Sequence, residues 1–513
     1  MNLTWMLEGS ARKFPTKPAV VSDLGLLTYA ELLAASRRAA AVLRDAGVRP
    51  GDRVGVMAYN TPAFAIAAFG VWRAGAALVP INHKFTAHEV AYVAGHSTPK
   101  VVVAAAELAE RVREGAPEID VLTVDDAGTG EFDRLVAAAE EWDGVDVGSD
   151  AVAQVLYTSG TTSSPKGCLH SHGGLWNVPA FTAAATGLRR DDRFLIAMPI
   201  WHASPLNNWF LSMIYLGGTA VLLKEYHPVK FLETVQKYGV TGFFGAPIAY
   251  LAPLKALPAA GLDLAGFDLS SVRLWAYGGA PLGAQTVKTL QAAYGSDRFY
   301  QVYGMSEMGP VGSALYPDEQ VTKAGSIGAG GMPGVDIRVV RADGADASAG
   351  EVGELWLRSA TRMIGYLDDP SATARACEGD WYRTGDLAQV DEDGYLFIVD
   401  RLKDVVITGG ENVFCPEVEE ALRQHPAIQD AAVIGRPHEE WGETVVAVVE
   451  ANEAVTIEEL RAFLSTLLAK YKMPRELVVL DALPRNPSGK VMKHVLREQA
   501  AAQAVHRGSA SVG

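Results

Sequence analysis

The chain has 513 residues, 49% of them hydrophobic, with 45 Lys and Arg against 60 Asp and Glu for a net charge of −15. That length and apolar content support a large buried core in about two to four domains or subdomains. The acidic balance excludes a broadly cationic surface of the kind that binds nucleic acid or anionic membranes, so an anionic substrate must meet a local cluster of cations. The three cysteines, Cys168, Cys377 and Cys415, lie far apart without Cys-x-x-Cys or Cys/His metal spacing, which fits reduced thiols in a cytosol. Residues 1–8 lack a basic leader, Arg12 and Lys13 follow early, and no stretch reaches the roughly 18 uncharged apolar residues of a membrane span. The expectation is a cytoplasmic protein with no integral membrane segment and no nucleic-acid partner.

In chain order, Thr28 and Glu31 have capping-box spacing, and Leu32, Leu33, Ala39, Ala40 and Leu43 continue one helical face until Gly47. A strand over 54–57, a helix over 63–72 and a strand over 78–81 follow. Short apolar strands recur at 101–104, 152–156, 194–197, 220–223, 242–244 and 272–276, separated by helical patterns. This alternation predicts layered α/β units with largely parallel sheets, whose ligands sit at the strands' carboxyl ends. From about residue 325 the chain becomes Gly-rich and β-prone, at 334–340, 350–357 and 395–399, which reads as a small barrel or distorted sheet. Asp400-Arg-Leu-Lys-Asp404 carries charge between two apolar runs, as a solvated turn or a domain hinge would. Beyond it, segments at 416–422, 431–434, 445–449, 457–468 and 477–480 outline a compact α+β unit. The fold expected is α/β: a large N-terminal domain of layered sheets plus a small barrel-like subdomain over 1–400, then a small mobile α+β domain over 401–513.

Tyr157 to Gly167 reads Tyr-Thr-Ser-Gly-Thr-Thr-Ser-Ser-Pro-Lys-Gly. It gathers the hydroxyls of Thr158, Ser159, Thr161 and Thr162, the turn residue Gly160 and the cation Lys166 after a strand. Such groups, with backbone N–H donors, replace much of a phosphate's hydration shell. The spacing is not that of the ordinary nucleotide loop Gly-x-x-x-x-Gly-Lys-[Ser/Thr]. It resembles the phosphate loop of the adenylate-forming superfamily, with Ser163 where the usual pattern has Gly. Five further segments match that superfamily's motifs in order: Pro199-Ile-Trp-His202, Tyr277-Gly-Gly-Ala-Pro281, Tyr300-Gln-Val-Tyr-Gly-Met-Ser-Glu307, Tyr382-Arg-Thr-Gly-Asp386 and Pro484-Arg-Asn-Pro-Ser-Gly-Lys490.

The resemblance implies roles for these residues. His202 lines the acyl site and gates the thiol's approach. The turn of Gly278, Gly279, Ala280 and Pro281 lies against adenine, and Tyr303, followed by Gly304 and Met305, stacks on it. Ser306 bonds the α-phosphate, Glu307 holds Mg²⁺, Asp386 takes the ribose hydroxyls, and Arg401 adds a donor. Lys490 becomes the catalytic cation bridging the substrate carboxylate and the α-phosphate. Lys403 matches the hinge, Gly409 and Gly410 a narrow pantetheine tunnel, and Trp441 a platform for the CoA adenine. An apolar acyl pocket is drawn from Trp201, Trp209, Phe210, Phe243, Phe244, Trp275, Ala276 and Gly278. No acidic residue is placed there to pair with an α-amino group, so fatty or aryl/polycyclic acids are expected over amino acids. The implied activity is ATP-dependent acyl-CoA synthesis through an acyl-AMP, with ATP, Mg²⁺ and CoA. No insertion of the kind found in fatty acyl-AMP ligases stands between Gly365 and Asp400, which favours CoA; an acyl carrier protein or partner enzyme as acceptor, and a homodimer, stay open.

Overall fold

The computed structural model describes residues 1–158, 165–409, 411–438, 441–485 and 491–499. The chain forms two compact units, one of Met1–Ile337 with Trp356–Arg383 and one of Arg338–Leu355 with Thr384–Gly513. The fold is mixed α/β with layered sheets, as the alternation predicts.

The first helix signal holds in detail. Thr28 accepts from the Glu31 N–H while the Glu31 carboxylate accepts from the Thr28 N–H at 2.8 Å, closing a capping box on the helix Tyr29–Asp45. The buried face of that helix carries Leu32, Ala39, Ala40 and Leu43. Small residues there let the helix Pro62–Arg73 approach closely: a Cβ on Gly70 would stand 2.6 Å from Ala39 Cβ.

Two sheets dominate the first unit. An eight-stranded sheet runs in the order Gly312–Leu315, Phe299–Gly304, Leu274–Gly278, Gly242–Gly245, Arg193–Ile196, Thr219–Leu222, Pro18–Ser22, Gly25–Thr28. Its interior pairs are parallel and its two edge pairs antiparallel. A seven-stranded sheet runs Gly365–Tyr366, Lys166–Ser171, Val152–Thr158, Ala77–Pro80, Arg53–Met57, Val101–Ala105, Asp120–Val124. Here Val152–Thr158 is parallel to Ala77–Pro80 on one side and turns back as a hairpin into Lys166–Ser171 on the other. A smaller sheet of five strands includes Val335–Val340, Val352–Ser359, Trp381–Val390 and Leu396–Arg401, where the Gly-rich texture predicts β structure.

In the second unit, Glu411–Val413, Val406–Thr408, Gly442–Ala451 and Ile428–His438 form a further sheet, with Glu476–Val479 beside Gly442–Ala451. The helices Cys415–Arg423 and Ile457–Leu464 cover it through Val418, Leu422, Leu460 and Leu464, all buried. No helix among the described residues is long and apolar enough to cross a membrane.

Candidate adenylation site

The hairpin register sets the mouth of the phosphate loop. Thr158 stands opposite Lys166 and Tyr157 opposite Gly167, so a hydroxyl and an ammonium leave the sheet side by side. Ser159, Gly160, Thr161 and Thr162, together with Gly410 and Lys490, lie outside the described residues. Tyr366 pairs with Cys168 on the adjoining strand, which brings its ring under Lys166, with Nζ 4.9 Å from the centroid. The Tyr366 hydroxyl donates to Glu307 Oε1 at 3.2 Å and stands 3.2 Å from the Tyr382 hydroxyl. Burial, reinforced by the Glu307 charge, pushes both phenols above their ordinary range, so they remain protonated donors. Glu307 is thereby held by a neutral hydroxyl near a cation.

Glu307 lies on the short turn Ser306–Met308, directly after the strand Phe299–Gly304. Half-buried Tyr303 pairs with Ser313 in the register, and the next residue is glycine for a steric reason: a Cβ on Gly304 would stand 2.3 Å from Pro310 O. The Gly278–Pro281 turn ends the neighbouring strand, with Gly279 at φ +86° and Ala280 and Pro281 exposed. No group of three or more His, Cys, Asp or Glu that could hold a metal occurs among the described residues. A single carboxylate, Glu307, suits Mg²⁺, which keeps waters and is bound through one or two carboxylates plus substrate phosphates.

The candidate acyl residues divide. Phe243 stands opposite Trp275 in the ladder, and both pack into the aromatic core with Phe231, Tyr250, Tyr294 and Phe299. Their neighbours Phe244 and Ala276 therefore point to the other face, as does Gly278, because strand side chains alternate. Phe243 and Trp275 thus pack in the aromatic core, on the face opposite Phe244 and Ala276. On the other face, Trp209 lies parallel to Phe194 at 4.6 Å and stacks on Phe244 at 5.5 Å. Trp209 and fully buried Phe210 sit on a π-helical turn, Ser204–Phe210, and the Trp209 N–H donates to Ser204 Oγ at 3.1 Å. Gly278 has a packing reason of its own, since a Cβ there would approach Val302 O to 2.6 Å. Trp201 stacks on His202 at 3.9 Å and donates its N–H to His83 Nδ1 at 3.1 Å. Burial holds His83 down to about 4, so it is the neutral acceptor that this bond requires.

Residues 7–367 match the AMP-binding enzyme family and residues 417–490 the AMP-binding enzyme C-terminal domain. The chain belongs to the AMP-binding enzyme family. Among its relatives is a feruloyl-CoA synthase of Amycolatopsis, 38% identical over 497 residues that cover 95% of this chain and 97% of the relative. A long-chain-fatty-acid–CoA ligase of Mycobacterium tuberculosis is 34% identical over 504 residues, covering 97% and 98%. The crystal structure of ATP-bound MatB from Rhodopseudomonas palustris superposes with a TM-score of 0.87 at 31% identity, over 97% of this chain and 99% of that one. This AMP-binding enzyme is an acid–thiol ligase of the AMP-forming, adenylate-forming class.

In the second unit of the AMP-binding enzyme, Asp386 is buried opposite Arg401, whose Nε lies 2.8 Å from Asp386 Oδ1. The Asp386 N–H donates to Thr384 Oγ1, and that hydroxyl donates to Leu355 O at 2.7 Å, which fixes the strand end. Next to it, exposed Lys403 is flanked by buried acids. Asp404 takes Arg497 at 2.7 Å, and Asp400 accepts the Cys415 N–H at 2.7 Å. Burial pushes the Asp400 carboxyl up to about 6 and the Cys415 thiol up to about 12. Gly409, at φ +61°, donates its N–H to Trp441 O, and a Cβ there would stand 3.0 Å from the indole. Trp441 also carries the Arg475 guanidinium at 4.6 Å from its ring. Glycine at 409 thus serves contact with Trp441. Sequence reasoning missed Tyr366, Tyr382 and His83 as site partners. A tyrosine among the quoted motif residues, Tyr382, was the one available signal.

Proposed function

We propose that this ligase joins an apolar carboxylic acid, fatty or aryl/polycyclic, to CoA through an acyl adenylate. The observation that carries it is the meeting of the Thr158–Lys166 hairpin mouth with Glu307 through Tyr366. A cation, hydroxyls and one carboxylate there are the groups that holding a metal–triphosphate requires. Tyr303 and the Gly278–Pro281 turn take adenine, and Asp386, oriented by Arg401, takes the ribose hydroxyls. Glu307 would hold Mg²⁺, which when bound would supply charge neutralisation for the departing phosphates.

Lys490 draws the acid's carboxylate and the α-phosphate together. One carboxylate oxygen then bonds to the α-phosphorus as the bond to pyrophosphate breaks. Positioning and charge stabilisation supply the rate, since the protein forms no covalent bond in this step. In the second step the CoA sulfur attacks the acyl carbon, and AMP leaves with the carboxylate oxygen. Lys403 serves as the hinge between the two steps, and His202, backed by Trp201, screens the thiol's path. Trp209, Phe210, Phe244, Ala276 and Gly278 give the acid an apolar surround, worth about 25 cal/mol per Å² desolvated.

The test is pyrophosphate release across a panel of fatty, aryl and amino acids, with products identified by mass with and without CoA. Acid-dependent pyrophosphate together with an acyl-CoA is expected. Acyl-AMP that persists with CoA present would move the acceptor to a carrier-protein thiol, and activation confined to amino acids would overturn the pocket assignment.

A further inference from the structure

The helix Ala87–Ser97 begins with a capping box of Thr86 and Glu89 and carries Tyr92 and His96 one turn apart, on the same face. Their rings stack, 5.9 Å apart and 7° from parallel. His96 reaches the first strand of the phosphate hairpin and Tyr92 the residue that leads into the second. The Tyr92 hydroxyl donates to Pro165 O at 2.8 Å, immediately before Lys166. His96 Nδ1 lies 2.8 Å from the Tyr157 hydroxyl, immediately before Thr158, with the two rings edge to face. One helical turn therefore grips both strands at the point where the loop leaves the sheet. The last rung of a hairpin is where a ladder ordinarily opens, because no further pair holds it.

We propose that Tyr92 and His96 act as a clamp that fixes the mouth of the phosphate loop and so sets the affinity for ATP. The proposal rests on the ATP-binding reading of that loop. Neither side chain is assigned a contact with the nucleotide; both are positioning residues. A fixed mouth means that the ordering cost of Thr158 and Lys166 is met on folding. Without it, the same cost falls on ATP binding and weakens it. The rest of the site is untouched, so the acid and the thiol acceptor should not sense the change.

The experiment uses the full chain and equilibrium dialysis of Mg-ATP without acid, followed by KM values for ATP, acid and CoA. Tyr92→Phe keeps the ring stack and removes the hydroxyl, while His96→Phe keeps an aromatic ring and removes the nitrogen. Each is expected to raise the Kd and KM for ATP about three- to tenfold, the loss of one hydrogen bond, with the KM for acid and CoA within about twofold. The double variant should weaken ATP further. An unchanged ATP Kd would overturn the clamp, as would a parallel shift of all three constants with a lowered unfolding temperature, the mark of general loosening. Dialysis separates this from the ligase reading. Wild-type protein that binds ATP but activates no acid would overturn the ligase reading, with the clamp still judged by the Kd ratios; wild-type protein that binds no ATP would overturn both.

Discussion

Around the hairpin mouth, Lys166, Tyr366, Tyr382 and Glu307 set one cation and one carboxylate among neutral hydroxyls and ring faces. Around the 400–404 turn, charge is matched within the protein: Arg401 with Asp386, Arg497 with Asp404, and Lys493 with Glu419. The difference follows from what each region must do. On the proposed roles, a site for a polyanionic ligand keeps cations and donors aimed outward, whereas a hinge turn satisfies its own buried charges, since an unpaired one would cost several kcal/mol. Substitutions in the first region should therefore change ATP chemistry, as should any at Asp386 or Arg401, whereas those at Asp404, Arg497, Lys493 and Glu419 should change stability or the second half-reaction.

Four predictions sharpen that contrast. Lys490→Ala should cut acyl-AMP formation by about a thousandfold while preformed acyl-AMP still reacts with CoA. Equal loss in both half-reactions, followed separately by quenched-flow assay, would remove the assignment of Lys490 to the first step alone. Glu307→Gln keeps the shape and removes the charge, and should lower adenylation about a hundredfold, with partial recovery at raised Mg²⁺. Tyr366→Phe removes one hydroxyl that donates to that carboxylate and should cost about tenfold in kcat/KM for ATP. In the second region Arg497→Ala strips Asp404 of its cation; a lowered urea midpoint with the ATP KM unchanged is expected, and an altered ATP KM would blur the contrast.

Stability should also fall in acid for an identifiable reason. Burial holds His170 and His172 down to about 4 in the folded protein. An unfolded histidine takes its proton near pH 6.5. Their contribution is therefore complete above that value and is lost as pH falls toward 4, at up to about 1.4 kcal/mol per pH unit for each group. Asp400 acts in the opposite sense, because its raised value favours the folded state as pH falls through 6. Urea midpoints measured between pH 7.5 and 5 should decline; a flat profile would mean that these imidazoles are hydrated.

Much of the fold was legible because strand and helix periods alternate cleanly from Thr28 onward, and the motif order singled out the loop after Val152–Thr158, Glu307 and Asp386, though not the antiparallel return of Lys166–Ser171. The face of Phe243 and Trp275 was not. A parallel strand covered on both sides reads as a continuous apolar run, so Phe243-Phe244 carries no alternation from which to choose a face. Pro18–Ser22 escaped because a short strand is stabilised by a distant partner, here Thr219–Leu222, and Gly25–Thr28 is held only as an edge strand on Pro18–Ser22. Tyr366 escaped for the same reason: it acts through Glu307, 59 positions away in sequence, and a lone Gly-Tyr pair carries no periodic signal.

In adenylation as proposed, the acid's own oxygen bonds to the α-phosphorus of ATP. Supplying an acid accepted by the enzyme, with both carboxylate oxygens heavy, tests it directly in a reaction run to completion with CoA. One heavy oxygen is expected in AMP and none in pyrophosphate. Label in pyrophosphate or free phosphate, or unlabelled AMP, would contradict it.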